Sequence, residues 1–116
     1  MHRKIYTREI ELSQKDENTV EVLEVKLVHY DSMYKAMVTK LEKTNKFGYD
    51  AVSFLLFGEG NFQFTIKDGR YSKKQAMILS NNLSTIDMDT VKMLWSNKSY
   101  EPLVHYIKDI LLMENK

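Results

Sequence analysis

The side chains able to do chemistry are few and scattered. Three histidines (His2, His29 and His105) and no cysteine stand in a chain of 116 residues, so thiolate nucleophiles and thiolate metal sites are excluded. Near the end of the chain, Glu101, His105 and Asp109 recur every four residues. On a helix this spacing makes one carboxylate–imidazole–carboxylate stripe, which would ligate a metal if a second element supplied more ligands. Such i, i+4 pairs more commonly mark a solvated helix face. The most concentrated positive segment is Lys67–Lys74, where Lys67, Arg70, Lys73 and Lys74 surround Tyr71. It leads into a predicted helix start, where free N–H groups and the helix dipole favour an anion and a tyrosine beside cations can stack on a base. A solvated turn capped by Ser72 is the plainer alternative.

Two further patterns carry a partial resemblance. Asp16 precedes the triplet Glu24-Val25-Lys26 by eight positions. This resembles the Asp…(Asp/Glu)-x-Lys pattern of restriction-endonuclease-like nucleases, which implies paired carboxylates holding Mg²⁺ and a lysine steadying the attacking water. Asp16 departs from it by falling in a predicted turn. Leu79–Trp95 resembles the helix-turn-helix of DNA-binding repressors, but its turn is one residue too long and lacks the usual glycine. Asp87 and Asp89 would also aim carboxylates at phosphates. No phosphate loop, GxGxxG, GxSxG or HExxH motif is present in the sequence.

Aromatic residues carry the stronger signal. Phe47, Tyr49, Phe54, Phe57, Phe62 and Phe64 lie close together in the chain. Two short strands cannot bury every ring on one face, so Tyr49, Phe57, Phe62 and neighbouring Tyr71 are the expected partner-binding residues. Exposed rings of this kind are characteristic of protein-binding hot spots.

The elements that must position these residues follow from periodicity. Lys4–Leu12 alternates as a strand, with Tyr6, Arg8, Ile10 and Leu12 on one face. After a turn at Ser13–Asn18, Thr19–Tyr30 is valine-dense and pairs with it. Its phase slips near Val22–Leu23, which predicts a bulge or burial on both faces. Met33, Tyr34, Met37, Val38 and Leu41 fit one helical stripe, so Asp31–Thr44 is predicted as a helix with Asp31 or Ser32 as its cap. Gly58-Glu59-Gly60-Asn61 reads as a hairpin loop between strands Ala51–Phe57 and Phe62–Lys67. Ser72 with Gln75 forms a capping box for a helix to about Leu83, and Asp87 caps a short second helix. Ser99 or Tyr100 opens a third, with Pro102 tolerated in its first turn.

The expectation is an α+β fold, ββαββ followed by three helices packed on an antiparallel sheet of about four strands. One domain spans residues 1–116, strand-rich over 1–71 and helical over 72–116. Its core should include Val25, Leu27, Phe54, Leu56, Phe64 and Ile107. Apolar residues at 43% and charged ones at 28% match an ordinary globular chain. A net charge of +1 weakens reliance on phosphate neutralisation. No apolar run nears the roughly 20 residues of a membrane helix, and the first residues lack a signal-peptide core. With no cysteine, the expected location is the cytoplasm.

Elimination therefore points to a non-enzymatic binding protein acting on another protein, of the inhibitor, immunity or accessory type encoded by phages and mobile elements. It implies no cofactor, no metal and no membrane, and is compatible with homo-oligomers. Behind it stand a nucleic-acid or phosphate binder using Lys67, Arg70, Lys73 and Lys74, then a small metal-dependent nuclease.

Overall fold

The structure, a computed structural model, describes residues 2–44, 51–54, 61–96 and 99–113. Among these residues, five strands precede three helices: β1 (His2–Asp16), β2 (Thr19–Tyr30), β3 (Met33–Thr44), β4 (Ala51–Phe54), β5 (Asn61–Asp68), α1 (Lys73–Ser84), α2 (Met88–Trp95) and α3 (Glu101–Leu111). The α+β class and the antiparallel sheet are as the sequence predicts. The order ββαββ is not.

The segment expected as a helix at Asp31–Thr44 is β3. Its register with β2 runs unbroken from Tyr30↔Met33 to Thr19↔Thr44. Asp31 and Ser32 do not cap a helix. Both hold positive φ, 49° and 63°, as a two-residue hairpin turn of the twist-compatible kind requires. The helical stripe is misleading because β3 buries side chains on both faces. Tyr34, Ala36 and Val38 face the helices, and Leu41 is buried on the opposite face. Lys40, where alternation breaks, also lies on the helix side. Its ammonium sits 4.6 Å from the Trp95 ring centroid and 3.9 Å from a Glu21 carboxylate oxygen. A long aliphatic stem allows a lysine to occupy such a half-buried site.

The hairpin expected between Ala51–Phe57 and Phe62–Lys67 is also corrected. β4 pairs with Leu41–Thr44 of β3 and β5 with Met33–Thr39, both antiparallel. The two therefore run in the same direction, end to end along one side of β3, and do not pair with each other. Five strands fill four positions, β1-β2-β3 and then β4 or β5. Residues 55–60, including most of the glycine-rich loop, lie outside the described residues, as does the side chain of Phe54.

The phase slip in β2 has a physical origin. Glu11 opposes Val22 and Ser13 opposes Glu21, which leaves Leu12 as an extra residue in β1. The bulge is in the partner strand, and β2, paired on both sides, is buried on both faces at Val22, Leu23, Val25, Leu27 and Val28.

Two cross-strand rows span the sheet on the helix side: Arg8–Val25–Val38–Phe62 and Tyr6–Leu27–Ala36–Phe64. The helices cover them. Buried Leu79 and Leu83 of α1, Val91 and Trp95 of α2, and Leu103, Ile107 and Leu111 of α3 complete the core. The helix starts match the sequence signals. Ser72 accepts from Gln75 N at 3.0 Å, and Asp87 accepts from Thr90 N at 3.1 Å and Thr90 Oγ1 at 2.7 Å. Those Thr90 bonds hold the Asp87 carboxyl below its ordinary pKa. Arg8 donates to Leu83 O at 2.9 Å, placing a cation on the last carbonyls of α1, where the dipole favours one.

Candidate functional site

β5 ends the sheet. Phe62, Phe64 and Ile66 point toward the helices, and Gln63 and Thr65 are exposed on the other face. Ile66 is an extra residue between the pairs Lys35↔Thr65 and Tyr34↔Lys67. Among the described residues, no strand pairs with the outer side of β5. α3 runs beside it in the same general direction. Phe62 stacks on Tyr100 at the start of α3, with centroids 4.9 Å apart and planes at 21°. Lys108, in its last turn, holds its ammonium 5.8 Å from the Phe64 ring.

Between them lies a groove of about 220 Å³. Half-buried Phe62, Phe64 and Val104 form its apolar floor, and exposed Gln63, Glu101, His105 and Lys108 form its rim. Tyr100 supports the floor from below. Its hydroxyl donates to Val38 O at 2.9 Å, and burial raises its pKa above the ordinary tyrosine value. The stripe Glu101–His105 read from the sequence is thus one wall of this groove. Among the described residues no cluster of His, Cys, Asp or Glu is arranged to hold a metal.

A second feature is the corner where the β2–β3 turn meets the start of α1. Arg3, His29, Tyr34 and Lys67 form one row across four strands. Tyr34 Oη accepts from Ser72 N at 2.7 Å and lies 3.2 Å from Arg70 O, its closest acceptor. His29 Nε2 is 2.9 Å from Gly69 O, and Gly69 N donates to Ser32 O at 2.8 Å. Gly69 holds φ 149°, a conformation L side chains rarely adopt. Tyr71 packs edge-on against His29 at 5.6 Å, with the Arg3 guanidinium 4.1 Å above its ring.

The structure divides the predicted site residues. Tyr49 and Phe57 lie outside the described residues. Phe62 is in the groove, while Tyr71 is at the corner. Phe62 opposes Val38 and Lys67 opposes Tyr34, so the two places are four β3 residues apart, about 13 Å. Phe64, expected in the core, is only half-buried. Lys67 donates to Gln75 Oε1 at 3.1 Å, so the capping box keeps only its Ser72 arm. Arg70, Lys73 and Lys74 remain exposed.

The nuclease pattern is not assembled. Asp16 opposes Thr19, five residues along β2 from Glu24, about 16 Å away. The Glu24 carboxylate instead meets Lys26 at 3.5 Å. The helix-turn-helix pattern also fails to form a unit, since α1 and α2 each pack mainly on α3 and β1.

Neither Val104 nor Lys108 stands out in the sequence on its own. The spacing Glu101, His105, Lys108 on one amphipathic helix was the available signal, but nothing in it says that β5 lies alongside. No helix among the described residues is long and apolar enough to cross a membrane. No protein-family model, curated protein or solved structure matches the chain.

Proposed function

We propose that this is a non-enzymatic binding protein, of inhibitor or accessory type, whose partner is another protein received at the groove between β5 and α3. The observation that supports it is an aromatic groove running beside a sheet edge that no described strand covers. A strand edge offers a row of backbone donors and acceptors, and a pocket beside it reads alternate side chains of an added segment. An apolar floor with a polar rim matches the anatomy of protein interfaces. A chain without cysteine working in the cytoplasm suits this reading.

The basic corner supports an anion ligand less well. Lys67 is engaged with Gln75, and the Tyr71 ring is covered by Arg3 and flanked by His29, which leaves little face for a base.

Affinity capture with three forms of the chain tests the choice. Val104→Arg places a charge on the groove floor, and Arg70→Glu with Lys73→Glu and Lys74→Glu inverts the corner. A protein held by the wild type and the corner variant but lost with Val104→Arg is the expected result, with circular dichroism confirming the fold. Retention of ligand by Val104→Arg and loss on corner inversion, with release by salt, would overturn the reading in favour of an anion.

A further inference from the structure

We infer that the groove's occupant in the free protein is a second copy of this chain, joined β5 to β5 about a two-fold axis. Phe62 meets Tyr100, and Phe64 meets Lys108, so β5 and α3 share one direction and one midpoint, near Gln63 and Val104. An antiparallel β5–β5 pair centred on Gln63 uses Asn61–Thr65 and ends before the extra residue Ile66. It sets Phe62 of one copy opposite Phe64 of the other, on the helix side, and Gln63 opposite its own copy on the open side.

The same axis turns α3 antiparallel to its copy. Glu101 at one end of the rim then faces Lys108 at the other end of the second copy, twice over. Both side chains are exposed and line the groove. A two-fold contact requires a surface complementary to itself, and an acid and a base placed symmetrically about the midpoint meet that requirement. Strands pair about 4.8 Å apart and helices pack at 8–10 Å, so joining the edges also brings the two rims within reach. That the functional partner must compete with this pairing rests on the reading above, but the pairing itself does not.

Sedimentation equilibrium on the purified 116-residue chain over a concentration series tests the inference. A reversible dimer is expected, weakened by salt. Glu101→Lys or Lys108→Glu alone replaces two attractive pairs with two repulsive ones, and should raise the dissociation constant by about tenfold. The double variant Glu101→Lys, Lys108→Glu restores complementarity and should restore the dimer. A monomer at every concentration, a dimer indifferent to either single reversal, or a double variant no better than the singles would each overturn the inference. Because only the pure chain is used, its failure is distinguishable from failure of partner capture.

Discussion

The Tyr34 hydroxyl accepts from the backbone N–H of Ser72 at 2.7 Å, so a ring at the start of β3 holds the entry to α1. Tyr34 is 1% exposed, and the Asp31-Ser32 turn beside it is tied to the same loop through Gly69. This hydroxyl therefore ties the start of β3 to the entry of the first helix.

Tyr34→Phe keeps the packing and removes this oxygen. The Ser72 N–H then loses its partner in a half-closed site, which should cost about 1–3 kcal/mol. Urea unfolding measures it. An unchanged midpoint would mean that water replaces the hydroxyl at no cost.

The edge position of β5 sets a gradient of packing costs. Leu27 and Ile107 are fully buried, so Leu27→Ala or Ile107→Ala should cost about 2–5 kcal/mol. Phe64 shares a cross-strand row with Leu27 but stands at the open end, half-buried. Phe64→Ala should therefore fall below the roughly 3–5 kcal/mol of a fully enclosed phenylalanine. Denaturant melts on the three variants give the order, and a Phe64 cost at the top of that range would mean the groove is closed.

Much of the helical half is legible locally. Ser72, Asp87 and Pro102 act within a turn of where they stand, and their spacing is sufficient to place α1, α2 and α3. The sheet half depends on what lies across from each residue. Met33–Leu41 satisfies a helical stripe because neighbours bury β3 from both faces. Only the positive-φ turn at Asp31-Ser32 and the partner β2 settle it as a strand. The glycines near residue 60 announce a break in the chain, but not whether the strands on either side pair with each other or both with β3. The groove shares this limit. Phe62 is recognisable as an interface ring, whereas its stacking on Tyr100 joins residues far apart in the chain.

Tyr100 gives the chain an alkaline weakness. Burial raises its pKa above the ordinary value of 10.0, so the folded state keeps a proton the unfolded state releases. The stabilisation is complete below pH 10.0 and is lost as pH rises through the folded pKa. Tyr100→Phe removes this dependence along with the bond to Val38 O. Stability measured from neutral pH upward should fall more steeply above pH 10.0 for the wild type, by up to about 1.4 kcal/mol per pH unit. Parallel curves would show that Tyr100 ionises freely in the folded protein.

The functional prediction concerns how the groove divides its work between rings and charges. Phe62 is held against Tyr100, so truncating it should disturb the fold as well as the partner. Phe64 is the cleaner probe, since its half-buried ring lies on the groove floor with the Lys108 ammonium 5.8 Å from it. With the captured partner in hand, Phe64→Ala should weaken binding by about 2 kcal/mol, mainly through faster dissociation. The corner substitution Lys73→Glu with Lys74→Glu lies at the start of α1, outside the groove lining. As charges outside the groove, these should alter the association rate and its salt dependence while leaving dissociation nearly unchanged. Surface plasmon resonance separates the two rates. If Phe64→Ala leaves dissociation untouched while the corner reversal abolishes binding, the partner sits on Arg70, Lys73 and Lys74, and the groove is not the receiving surface.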